Sequence, residues 1–412
     1  MSDIYIPNIL PFVSFLILFI ANTKLVGRLA CMSNVIIGLY GCSSFCHWII
    51  SGFFDSRKAC SLSAFILVFF SIFLMTLPLS FFEKKNQNCV LSDINEKRLD
   101  IMEKIVCVFC FYAIIFFSQY LLQVFSYGIV EMRLLKGTFY ESSIFSKCAV
   151  MGAFLSPMAM FFFFFNISKN LFSKRQNALL LIGSLSFVVY TLNVAGRDGI
   201  VIWSLSFFAL FMLFFRFLSK QQKIQIARLG LLGICCFLPV LLFISSSRFE
   251  KSDYGTTVSM MSYLGQGFDN LSYNISVYKN TEANVGNFLG QFPVLAPFAN
   301  FMGYESNLAT DTFGKMDVAF KYGFRANQFS FFIGSFYPMN YPITGYALFL
   351  FICIMVYFLN LRIKNGVVSV QNLLLAFIWY MVPIVGVFYF YYGSLIGNVF
   401  LLTPFLMLLF LL

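Results

Sequence analysis

"QNALLLIGSLSFVVYTLNVAGRDGIVIWSLSFFALFMLFF" (residues 176–215) holds two charges, Arg197 and Asp198, and they are adjacent. The stretch is about twice the roughly 20 apolar residues that carry a helix across a bilayer. "AGRDG" (195–199) accounts for the excess length. Glycine accepts backbone angles other residues resist, and Asp bonds back to its own main chain, so Gly-Arg-Asp-Gly is turn chemistry. The run therefore divides into two helices, 178–195 and 199–217. The charges then sit at a membrane edge, where a guanidinium reaches the headgroup region.

The rest of the chain repeats this pattern. Of 412 residues, 60% are hydrophobic and only 11% are charged, too little charge for a water-soluble surface. Hydropathy and turn signals give about eleven helices, at 4–22, 31–52, 62–82, 105–126, 144–166, 178–195, 199–217, 229–246, 342–361, 371–390 and 394–412. The fold class is all-α, a polytopic integral membrane protein. The first run lacks a basic leader and a small-residue cleavage site, so it reads as a retained span. No internal repeat of fixed period is visible.

Lys and Arg set the orientation, because positive loops stay on the cytoplasmic side. Alternate short loops carry sixteen of them on one side and six on the other. This bias predicts an outward N-terminus and an inward C-terminus. It also explains the net charge of +11 as topology signals, without nucleic acid.

The expected organisation is an N-terminal bundle (1–246), one large outer loop (247–341) and C-terminal helices (342–412). The loop contains no cysteine, which excludes a disulfide framework there. Its segments 286–303 and 327–342 are aromatic but broken by Gly and Pro, so they are expected at the interface or dipping into the bundle.

Polar residues gather where the loop begins, in "SSSRFEKSDYGTTVSMMSYLGQGFDNLSYNISVYKN" (245–280). Arg248, Glu250, Asp253 and Tyr254 follow directly on the helix 229–246. Tyr263, Gln266, Asp269, Asn270, Tyr273 and Asn274 recur at spacings of three and four. A helix over 257–279 gathers most of these on one face and Met261, Leu264, Phe268, Leu271 and Ile275 on the other. Such a polar face suits a sugar, and an ordinary amphipathic interfacial helix has the same pattern. Arg197 and Arg248 at one boundary suit a diphosphate, which guanidinium groups grip bidentately.

Other features carry less. His47, the only histidine, and the Cys107–Cys110 pair read as packing within apolar helices. No phosphate-binding loop, zinc-protease signature or serine triad is present.

The GRDG turn between two apolar helices, then one more helix, then "SSSRFE…Y" opening a long outer loop, resembles the Wzy-type O-antigen (oligosaccharide repeat-unit) polymerases. The local likeness is confined to about residues 195–280. The resemblance implies a GT-C-like architecture in a bacterial inner membrane. It implies a glycosyltransferase that joins undecaprenyl-pyrophosphate-linked oligosaccharides at the periplasmic face and releases undecaprenyl pyrophosphate, with no metal or other cofactor. A chain-length regulator and a flippase are the partners it implies. Arg197 and Arg248 match arginines of the family's pattern and are expected to bind pyrophosphate. Glu250, Asp253 and Asp269 stand as alternative bases for the acceptor hydroxyl, with Asp198 orienting Arg197. Tyr254, Tyr263, Gln266, Asn270 and Asn274 are expected at the sugars, and Lys321 and Arg325 at anionic groups. One departure is that neither Arg248 nor Arg325 has the Gly that follows ten residues after a loop Arg in some members.

Two other functions fit parts of the layout. An O-antigen ligase relies on a histidine in its large loop, and 247–340 has none. A lipid-linked oligosaccharide flippase or transporter calls for charges along its helices around a central cavity, whereas these charges avoid helix centres.

Overall fold

A computed structural model describes residues 4–52, 60–85, 89–127, 143–193, 196–249, 255–278, 331–334, 354 and 366–388. The elements are α1 (Ile9–Val26), α2 (Met32–Ser51), α3 (Leu62–Lys85), β1 (Val90–Leu91), α4 (Glu96–Tyr127), α5 (Ile144–Phe154), α6 (Ser156–Lys169) and α7 (Lys174–Gly183). They continue as α8 (Ser186–Leu192), α9 (Asp198–Phe214), α10 (Lys220–Phe249), α11 (Gly255–Gly265), α12 (Gly267–Tyr278), α13 (Phe331–Gly334), β2 (Val367–Val368) and α14 (Val370–Val385). Among the described residues, six helical stretches are long and apolar enough to cross a membrane. The chain is a multi-pass, mostly helical membrane protein. The expected spans 342–361 and 394–412 lie, apart from Ile354, outside the described residues.

Several boundaries differ from the sequence reading, each for a local reason. The span expected at 144–166 is two helices, hinged at Leu155 just before Pro157. Proline lacks the N–H a helix interior needs but fits a first turn. The span expected at 178–195 is also two helices, broken at Ser184 and Leu185. There the Ser184 carbonyl accepts a bond from Ser156, and its Oγ accepts one from the Trp203 indole at 2.9 Å. The helix expected over 257–279 breaks at Gln266 into α11 and α12. Beside the helices, β1 and β2 form a two-residue parallel pair, Val90 opposite Val367, too short for any sequence period to register.

The chain forms two compact units. The first holds residues 1–89, 257–366 and 378–398. In it α1, α2 and α3 pack on one another, and α12 packs on α2, α3 and α13. At one end of the triplet, a buried polar network joins the three helices. Asn22 Nδ2 donates to Ser33 Oγ and Asn34 Oδ1 at 2.9 and 2.8 Å, and Ser80 Oγ donates to Asn22 Oδ1 at 2.5 Å. Glu83 of α3 accepts the backbone N–H groups of Met32 and Ser33 at 2.5 and 3.2 Å, capping the start of α2. Helix N-termini expose unpaired N–H groups, and here a carboxylate from another helix satisfies two of them.

The second unit holds residues 90–256, 367–377 and 399–412. Its centre is α6, where Ser156–Asn166 are all buried, including five consecutive phenylalanines, 161–165. A helix apolar on every side belongs inside a bundle. Around it lie α4, α5, α7 and α9. By contrast, α10 is exposed over nearly all its apolar length, as a lipid-facing helix is.

Candidate functional site

The GRDG turn lies in the second unit, between α8 and α9. Both glycines are required by close packing. A Cβ on Gly199 would collide with Thr191 Oγ1 and lie 2.9 Å from the Phe187 carbonyl, and one on Gly196 would lie 2.6 Å from Asp198 Oδ1 and 2.9 Å from the Thr191 carbonyl. The Gly196 N–H donates to Thr191 O at 2.8 Å, closing the turn. Asp198 begins α9 and is exposed, a carboxylate at the positive end of a helix dipole.

Arg197 precedes α9 and is partly buried. Its Nη1 donates to Ser245 Oγ at 2.8 Å. Ser245 is buried on α10, which packs against α9. Arg248 follows Ser245 by three residues within α10. The turn and the end of α10, separate in the sequence, are thus joined at one end of the α9–α10 pair.

The remaining described candidates belong to the first unit. Tyr263 and Gln266 lie at the α11–α12 break, partly exposed, with Gln266 Nε2 donating to the Tyr263 carbonyl at 3.2 Å. Asn270 and Asn274 are buried on α12 beside Phe268, Leu271 and Ile275, while Tyr273 is turned outward. The polar and apolar residues of α12 therefore share its inward face in part. Glu250, Asp253, Tyr254, Lys321 and Arg325 lie outside the described residues.

Asp269 lies in a cluster that sequence reasoning passed over. Its Oδ1 is 3.6 Å from His47 Nδ1, with the imidazole fully buried and the carboxylate nearly so. The other ring nitrogen, Nε2, is 3.3 Å from Asn8 Oδ1, and that oxygen also accepts the Cys60 N–H at 3.0 Å. Burial, and after it the neighbouring Asp269, pushes the Cys60 thiol up to about 12. The signals available in the sequence were that His47 is the sole histidine and that it lies in the last turns of its helix. Ser245 was equally unmarked, one of three serines before Arg248.

Among the described residues, no three His, Cys, Asp or Glu side chains converge as a metal site. No family model, curated protein or solved structure matches the chain.

Proposed function

We propose that the chain polymerises lipid-linked oligosaccharide repeat units at the periplasmic face of a bacterial inner membrane, within an eleven-span GT-C-like bundle. One observation carries the reading: the Arg197 guanidinium is fixed by Ser245 at the end of an apolar helix pair, with Arg248 one turn beyond on the same helix. A cation held at that level suits a pyrophosphate on a polyprenyl chain, whose tail lies in the bilayer and whose phosphates lie at its edge.

In the proposed reaction the acceptor sugar hydroxyl attacks the anomeric carbon of the donor chain. A new C–O bond forms there as the C–O bond to pyrophosphate breaks. The hydroxyl proton passes to a carboxylate, and undecaprenyl pyrophosphate leaves with the electron pair. Charge grows on the leaving group through the transition state, so fixed guanidinium groups lower the barrier. The base is one of Glu250, Asp253 and Asp269.

The test is Arg197→Ala and Arg248→Ala, each checked for membrane expression, followed by electrophoresis of the lipopolysaccharide. The ladder of chain lengths is expected to collapse to a single capped repeat unit in both. A full ladder from both variants overturns the assignment, and loss of the capped unit as well points to a flippase or ligase.

A further inference from the structure

The charged start of α4 ends in a buried carboxyl. Glu103 is 1% exposed, and among the described residues no Lys, Arg or His lies within ion-pair distance of it. A charge taken out of water is costly unless one of opposite sign goes with it. Nothing on α4, α6 or α7 supplies that charge to Glu103.

What these helices supply is oxygen and amide. Gln176 Nε2, on α7, donates to Glu103 Oε2 at 2.9 Å and to Asp100 Oδ1 at 3.2 Å. Asp100 lies one turn earlier on α4, is partly exposed, and has its own partner in Lys104 Nζ at 2.6 Å. The other oxygen of Glu103, Oε1, is buried and has no hydrogen-bond partner. Beside this carboxyl stands Asn166 of α6. It is fully buried, and neither its Oδ1 nor its Nδ2 makes a hydrogen bond. Three helices that pack on one another thus close around an unpartnered carboxylate oxygen and an unpartnered amide.

A turn of the Asn166 amide could give Oε1 a donor, but it would leave the missing charge unsupplied. The charge count says what would supply it. Lys104 offsets Asp100, which leaves the charge of Glu103 alone. A calcium ion takes six or more oxygens, several of them from carboxylates, which is more than is gathered here. Carboxylate and amide carbonyl oxygens are hard donors, suited to a hard cation. A single positive charge that keeps part of its water fits both the donors and the count.

We infer that Glu103 and Asn166 form a site for an alkali-metal cation such as sodium, which neutralises the buried carboxylate and fastens α4 to α6 and α7. Glu103 Oε1 and Asn166 Oδ1 are its protein ligands. Gln176 holds the carboxylate in place, and Asp100, at the partly exposed edge, draws cations toward it. The inference does not rest on the chemistry proposed above, because the ion balances a buried charge and takes no part in glycosyl transfer.

The test uses the purified full-length chain in detergent, in N-methyl-D-glucamine chloride at about pH 8, above the ordinary carboxylate range. Binding of radiolabelled sodium is measured by scintillation proximity, and binding of radiolabelled rubidium stands for potassium. Saturable binding of either ion at about one per chain is expected, with a melting temperature that rises as the site fills. Glu103→Gln keeps the shape, removes the charge and is expected to abolish that binding. Gln176→Leu is expected to weaken it by about 10- to 100-fold, since it frees the ligand that Gln176 orients. A parent that binds neither ion saturably overturns the site, and would leave a proton as the neutralising partner of Glu103. Parental binding by Glu103→Gln overturns it equally. Should Glu103→Gln not fold, Asn166→Ala takes its place: binding weakened at least about tenfold supports the site, and parental affinity overturns it.

Discussion

Arg197 and Ser245 stand 48 residues apart in the chain, and the guanidinium of the first donates to the hydroxyl of the second at 2.8 Å. A long flexible cation becomes a fixed one when a buried hydroxyl on a packed helix takes one of its donors. Ser245→Ala removes that hold without removing the charge. A hydrogen bond to a charged group is worth about 1.5–3 kcal/mol, so chain extension is expected to slow by roughly 10- to 100-fold. Arg197→Ala is expected to be lower still, and Arg197→Lys to stay low because an ammonium lacks the planar fork. Extension rates in membrane vesicles supplied with lipid-linked repeat units measure all three. A Ser245→Ala variant at the parental rate beside an inactive Arg197→Ala would detach the serine from the site.

Gly199 and Gly152 mark places where helices leave no room for a side chain. A Cβ on Gly152 would run into the Phe109 carbonyl of α4, and one on Gly199 into Thr191. Alanine at either position is expected to destabilise the protein by about 1–3 kcal/mol through overpacking. Gly38 is the control, since its nearest neighbour would be the Phe19 ring at 3.9 Å. Melting temperatures in detergent should fall for the first two and hold for Gly38→Ala.

Glu83 caps a helix that is not its own. Its carboxylate accepts from Met32 N, Ser33 N and Ser33 Oγ, at 2.5, 3.2 and 2.6 Å. Glu83→Ala leaves these buried donors without that acceptor, an expected loss of about 2–4 kcal/mol. Glu83→Gln keeps a carbonyl oxygen and should fall between. Thermal unfolding in detergent measures both, and an unchanged alanine variant would show that the cap contributes nothing.

The charge asymmetry of the loops makes the orientation testable. Alkaline phosphatase fused after Tyr278 is expected to be active and, fused after Ser219, inactive, because that enzyme matures only outside the cytoplasm. The opposite pattern would invert the bundle and remove the periplasmic assignment of Arg197.

Much of this architecture is a matter of local composition. Helices α2, α3 and α9 fall within about three residues of where the apolar runs put them, because a helix that satisfies its own backbone needs only length and hydrophobicity to cross a membrane. Helices α4 and α10 begin earlier, inside the charged stretches Glu96–Lys104 and Lys220–Arg228. The AGRDG turn was legible for the same reason: its glycines and its aspartate act within a few residues. Periodicity fails where every face is apolar. Nothing in Phe161–Phe165 distinguishes one side of α6 from another, and the break at Ser184 depends on Trp203 and Ser156, which belong to other helices.

The sequence by itself determined that the chain is a helical membrane protein and where several of its helices lie. Only the tertiary structure decided which polar groups meet. His47 reads as packing until Asp269, 222 positions later, is brought against it, and Asn270 and Asn274 read as a polar face suited to a sugar until α12 lies on α2 and α3. Hydrophobicity is a property of each segment and survives in the sequence. The partner of a buried polar group is set by which helices touch, and that choice is made by packing across the whole fold.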